Sequence, residues 1–128
     1  MRKTWLVVLI TGTFIFAIVA IFTFTKIHHQ VEDITTIAVT AYRLDAIGSL
    51  TKLIESENHS YEEKNSAIWA LGQLADQEAL PFLEQLNTQT KEKSPCNRNS
   101  GLCKGEIEKA MKWCRNGNLT SWMYRHIE

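Results

Sequence analysis

The chain has 128 residues, with 14 Lys plus Arg against 14 Asp plus Glu, 45% hydrophobic residues, 3 Cys, 4 His, 2 Pro and 6 Gly. That length allows one domain at most, and the polar share is not that of a disordered chain. Without a cationic excess the chain is a poor candidate for gripping phosphate backbones, so no nucleic-acid partner is expected.

The even balance hides an uneven distribution. Residues 4–25 carry no Asp, Glu, Lys, Arg or His, and every acidic residue lies at Glu32 or later. As a helix this stretch reaches about 33 Å, against a hydrocarbon core about 30 Å thick. Residues 1–25 are therefore expected to form a membrane anchor that spans through 4–25. The rival is a cleaved secretory signal, whose apolar run would be shorter and would end at a small-x-small site. Here the run ends Phe22-Thr23-Phe24-Thr25-Lys26, which leaves cleavage near Ala17 or Ala20 as the alternative. Arg2 and Lys3 precede the span, whereas Lys26 is soon followed by Glu32 and Asp33. The positive-inside rule then places the N-terminus in the cytoplasm and everything after the span outside it. Gly12, between Thr11 and Thr13, offers a close-approach point if the span packs laterally against another helix.

Residues 26–41 are expected to be a juxtamembrane connector that becomes helical toward Tyr42. Ile34, Ile37, Ala38 and Ala41 fit helical spacing, but the Thr and Val content would also suit an extended segment. His28-His29 is most simply a solvated pair beside the membrane.

Beyond Tyr42 the helical period is clear. Ala46, Ile47, Leu50, Leu53 and Ile54 form one apolar stripe, and the polar run Ser56-Glu57-Asn58-His59 ends that helix. Ser60 with Glu63 predicts a capping box opening a helix over 61–75, with Ala67, Ile68, Leu71, Leu74 and Ala75 inward. Asp76 caps a further helix over 77–87, with Ala79, Leu80, Leu83 and Leu86 inward and Pro81 in its first turn. Ala46, Ile47, Leu50 and Leu53 recur as Ala79, Leu80, Leu83 and Leu86 at an offset of 33, a spacing typical of stacked helix pairs. A last helix over 105–115 presents Ile107, Ala110, Met111 and Cys114; Ala110, Met111 and Cys114 align with Ala67, Ile68 and Leu71 at an offset of 43. The surplus falls in the polar stretch Asn87 to Leu102.

The run Ala67-Ile68-Trp69-Ala70-Leu71-Gly72-Gln73-Leu74, the acidic turn at Asp76 and then Ala79-Leu80-Pro81-Phe82-Leu83-Glu84-Gln85-Leu86 resembles the HEAT-like repeat of the phycobilisome-lyase type. The likeness covers one helix pair and, more weakly, 46–54. It implies an α-solenoid surface that binds proteins, and with the compact layout it implies a bacterial inner membrane with the domain in the periplasm or outside the cell; it does not imply lyase chemistry. The expectation is thus an all-α chain: a transmembrane helix, then a short α-solenoid of HEAT-like helix pairs over 42–128 with a Cys-containing loop at 88–103. Its role would be that of a membrane-anchored interaction or scaffold module for an unidentified protein partner, without catalysis or cofactor.

Three thiols outside a membrane are open to oxidation. If Cys103 and Cys114 share a helix they stand about 16 Å apart, beyond reach of a bridge, so Cys96–Cys103 is the preferred disulfide and Cys96–Cys114 the second choice. The contrasting reading is a thiol- or metal-dependent envelope enzyme or redox sensor built on Cys96, Cys103 and Cys114 with His126. It lacks the Cys-x-x-Cys of redox sites and the paired short spacings of zinc sites.

Residues 27–90 hold 10 acidic and 3 basic residues, whereas 91–127 hold 8 basic and 3 acidic. The basic set comprises Lys91, Lys93, Arg98, Lys104, Lys109, Lys112, Arg115 and Arg125. Arg98, Lys104, Lys109, Lys112 and Arg115, with the aromatic anchors Trp113 and Trp122, are the candidate partner-binding residues, suited to an acidic partner.

Overall fold

The computed structural model describes residues 2–91 and 95–124. Lys93, Arg125 and His126, with the rest of 92–94 and 125–128, lie outside the described residues. Among the described residues there are five α-helices: α1 (Arg2–Tyr42), α2 (Ala46–Glu55), α3 (Tyr61–Leu74), α4 (Leu80–Gln89) and α5 (Lys104–Asn116). Short 3₁₀ turns lie at Gln77–Ala79 and Ser121–Tyr124, and the described residues contain no strand.

The expected connector at 26–41 is not one. α1 runs unbroken for 41 residues, about 62 Å of helix. Val31, Ile34, Thr35 and Ala38 are buried and Tyr42 half-buried. Their spacing (i, i+3, i+4, i+7, i+11) makes one face, which packs on α2 and α3. That packing overrides the extended preference of the Thr and Val residues, a preference that is weak without a sheet to satisfy it.

The N-terminal part behaves differently. From Trp5 to Phe22 the large apolar side chains stay exposed, and the described residues include one helix long and apolar enough to cross a membrane. Its hydroxyls are satisfied within the helix: Thr11 donates to Val7 O at 2.8 Å, Thr23 to Val19 O at 2.8 Å and Thr25 to Ile21 O at 2.8 Å. A helix in hydrocarbon must meet its polar groups from its own backbone in this way.

The other helices follow their local signals. Asp45 Oδ2 accepts from Gly48 N at 3.3 Å and caps α2. The Ser60–Glu63 capping box opens α3: Ser60 Oγ accepts from Glu63 N at 3.2 Å, and Glu63 Oε2 accepts from Ser60 N at 2.9 Å. Asp76 caps a 3₁₀ turn, so the helix expected over 77–87 starts as 3₁₀ and becomes α-helical only at Leu80.

Burial follows the repeat register. Ala46, Ile47, Leu50 and Leu53 and their counterparts Ala79, Leu80, Leu83 and Leu86 are all buried or half-buried. Ala67, Ile68 and Leu71, and Ala110, Met111 and Cys114, are all buried. Counting back 33 residues from 67, 68 and 71 reaches Ile34, Thr35 and Ala38, which are buried as well. The upper part of α1 therefore carries the same burial pattern at the same offset.

α3 is the central element, packed by α1, α2 and α5. Its inward residues accordingly exceed a single stripe, with Asn65, Ala70, Gly72 and Gln73 buried besides the expected Ala67, Ile68 and Leu71. It runs antiparallel to the upper part of α1. At one end the Tyr42 and His59 rings lie 6.2 Å apart. At the other, Tyr124 stacks on His28 at 5.7 Å while Asn118 Nδ2 donates to Gly72 O at 3.3 Å.

Candidate functional site

The fold brings α1, α3 and the cysteine loop around one cleft of about 770 Å³. α1 contributes Asp33, Ile34 and Ile37, α3 contributes Glu62, Glu63 and Trp69, and the loop contributes Arg98 and Asn99. The helical spacing of 30, 33, 34 and 37 and of 62, 63, 66 and 69 turns both rows toward the same space. The lining thus combines apolar Ile34, Ile37 and Trp69 with the carboxylates of Asp33, Glu62 and Glu63 and with Arg98 from the loop.

The loop is held on α3 by Asn65, which is fully buried. Its amide nitrogen donates to Tyr61 O at 2.8 Å, Arg98 O at 3.1 Å and Gly101 O at 2.8 Å, and its Oδ1 accepts from Cys103 N at 2.9 Å. One side chain thus satisfies two loop carbonyls and the loop's return to α5. The preferred disulfide is present: Cys96 and Cys103 are bridged with Cα atoms 5.7 Å apart. Cys96 is thereby used and Cys114, within α5, is free, so the second-choice pairing Cys96–Cys114 does not arise.

Along this lining, Ser60 holds the Glu63 carboxyl below the usual glutamate range by donating from its N–H and its hydroxyl, and neighbouring His59 adds to the effect. Glu63 is therefore ionised at neutral pH but engaged by its cap, whereas Asp33 and Glu62 are exposed at the rim with no hydrogen-bond or ion-pair partner among the described residues.

The basic residues expected to bind a partner lie on the cysteine loop and along α5, and two of them face acidic side chains. Lys104 is half-buried at the start of α5, and Lys109 and Lys112 are exposed along it. The Lys109 ammonium lies 4.8 Å from the Trp113 ring centre. Arg115 is ion-paired to Glu84 on α4, and Arg98 lies 3.9 Å from Glu106 while also reaching the cleft. Trp113 is half-buried against Gly72, and Trp122 is 61% exposed.

Cys114 is free and buried; burial, with Asp76 nearby, pushes its thiol up to about 11. Such a thiol is not a nucleophile at neutral pH. No group of three His, Cys, Asp or Glu among the described residues is placed to hold a metal, and His126 of the expected alternative set lies outside them.

Sequence reasoning missed Asn65 and the cleft. A signal for Asn65 existed: it falls on the Ile68–Gly72 side of α3, where a polar residue on an inward face needs partners from elsewhere in the chain. No family model, curated protein or solved structure matches the chain.

Proposed function

We propose that the chain is a single-pass membrane protein whose HEAT-like helical domain is an extracytoplasmic interaction module, and that the cleft between α1, α3 and the cysteine loop receives a cationic amphipathic segment of a partner protein. The observation that carries this is the mixed apolar and acidic lining of the cleft, with Asp33 and Glu62 unpaired at its rim. Lysine and arginine side chains of the partner complement those carboxylates, while its apolar face covers Ile34, Ile37 and Trp69.

Anchoring is supported by the exposed apolar helix and by Arg2 and Lys3 ahead of it, which favour a cytoplasmic N-terminus. A disulfide persists in oxidising compartments, which agrees with a domain on the outer side of a bacterial inner membrane. The HEAT-like reading is supported by the burial of matching positions at offsets of 33 and 43. Two thiols are consumed by the bridge and the third is buried and poorly ionised, which favours binding over thiol chemistry.

A Lys/Leu amphipathic helical peptide, titrated against the full chain in detergent while Trp69 emission is followed in a variant lacking the other tryptophans, tests the reading. Binding that weakens at least about tenfold, or 1.4 kcal/mol, in Asp33→Lys/Glu62→Lys supports the cleft. Equal binding by that variant rules the cleft out. Lys109→Glu/Lys112→Glu probes the basic side of α5, and it should leave binding of this peptide unchanged.

A further inference from the structure

We propose that the segment 118–124 is a membrane-contacting foot: Leu119 and Trp122 enter the headgroup region of the bilayer that α1 crosses and seat the domain on it. This rests on the reading of 4–25 as a membrane span. Outside that span, Leu119 and Trp122 are the most exposed large apolar side chains described, at 80% and 61%. Both lie at the end of the domain nearest the membrane.

Three contacts place them there. Tyr124, two residues after Trp122, stacks on His28 with ring centres 5.7 Å apart. His28 is three residues past Thr25, about 4.5 Å along the helix axis, and the headgroup layer on each side of the hydrocarbon core is about 5–7 Å deep. Tyr124 therefore lies at headgroup level. Asn118, next to Leu119, is tied to the last turn of α3 through Gly72 O and Gln73 Oε1 at 3.3 Å and 3.2 Å, and Thr120 also bonds to Gln73. Because α3 is antiparallel to α1, its last turn faces the bilayer. The opposite pole carries Arg43, Asp45, Glu57, Asn58 and His59 alongside Leu44 and Tyr61.

The chemistry suits the location. Tryptophan favours the membrane–water boundary, where its ring is in apolar surroundings and its N–H stays hydrated. Lys26 already marks that boundary on α1, its ammonium 5.1 Å from the centre of the Phe22 ring. The foot gives the domain a second attachment beside the helix, so that it rests against the bilayer and the cleft opens sideways along the membrane.

The test uses the full chain in phosphatidylcholine/phosphatidylglycerol vesicles. Cys114 is buried and Cys96 and Cys103 are bridged, so a nitroxide goes to one introduced thiol at a time: Leu119→Cys with Trp122 kept, Trp122→Cys with Leu119 kept, and the references Phe22→Cys and Glu57→Cys. Relaxation by oxygen is compared with relaxation by a water-soluble nickel chelate. Expected are a lipid signature at 22, an aqueous one at 57, and nickel access at 119 and 122 several-fold below that at 57 with oxygen access retained. Nickel access at 119 and 122 equal to that at 57, with 22 in lipid, overturns the foot and leaves the anchor standing. An aqueous signature at 22 overturns both. Labels at 119 and 122 that are immobilised and shielded from both reagents show a protein cover instead of lipid, which also overturns the proposal.

Discussion

At the scale of single residues, stability concentrates where a side chain closes a gap between elements. Asn65 makes four hydrogen bonds from a buried position, three of them to the cysteine loop. Asn65→Ala leaves those loop groups without partners, and a cost of about 2–3 kcal/mol is expected. Chemical unfolding measures it, and the Cys96–Cys103 bridge of the variant should open at a lower dithiothreitol concentration. The capping box gives a pH-dependent case. Ser60→Ala should cost about 1 kcal/mol. Because Ser60 lowers the folded-state pKa of Glu63, the charged cap contributes fully above the ordinary glutamate range and is lost as pH falls through the lowered value. Glu63→Gln keeps a capping side chain that does not titrate. Wild type should therefore lose stability relative to Glu63→Gln below about pH 4, as thermal melts of both across the acid range would show.

At the scale of elements, α1 serves two environments with one helix, and the division can be cut experimentally. Val31 and Ile34 alone contribute roughly 3–6 kcal/mol by burial, a large share of the 5–15 kcal/mol that holds a domain together. A chain beginning at residue 27 should fold with a cooperative melt followed by circular dichroism, whereas one beginning at residue 43 should show none. The α3–α5 contact makes a second case. A Cβ on Gly72 would lie 2.8 Å from Trp113 Cε3 and 2.9 Å from the Ala110 Cα. The tryptophan can shift but the Ala110 backbone cannot, so the helices must part. Gly72→Ala should lose about 1–2 kcal/mol, the overpacking strain exceeding the gain in helix propensity, and a lowered melting temperature would report it. Gly72, at the end of the Ala70-Leu71-Gly72 run, thus lies where the Ala110 backbone comes close to α3.

At the scale of the whole molecule, the arrangement predicts a topology. A membrane-impermeant maleimide applied to intact cells should label Glu57→Cys, at the pole opposite His28, under the proposed anchoring; labelling only after the membrane is permeabilised would place the domain in the cytoplasm. Much of this layout was legible from residue order. The uncharged 4–25 segment, the helices around Leu50, Ile68, Leu83 and Met111, the Ser60–Glu63 box and the Cys96–Cys103 pairing depend on hydropathy, spacing and chain reach, which are local properties. The continuity of α1 was not legible, because Val31, Ile34, Thr35 and Ala38 suit a strand or a helix until α2 and α3 are there to cover them. Nor was the pairing of Arg115 with Glu84 and of Arg98 with Glu106, which is chosen by which elements meet. The sequence by itself determined the uncharged apolar stretch, the helices after Tyr42 and the caps at Asp45, Ser60 and Asp76, because those signals act within a turn or two. Only the tertiary structure decided that α3 lies at the centre, that Asn65 clamps the loop, that Asp33 of α1 shares a cleft with Glu62 and Glu63 of α3 and that Tyr124 returns to His28. Each of these joins residues far apart in the chain, and contacts of that kind are selected by packing, which no local pattern encodes.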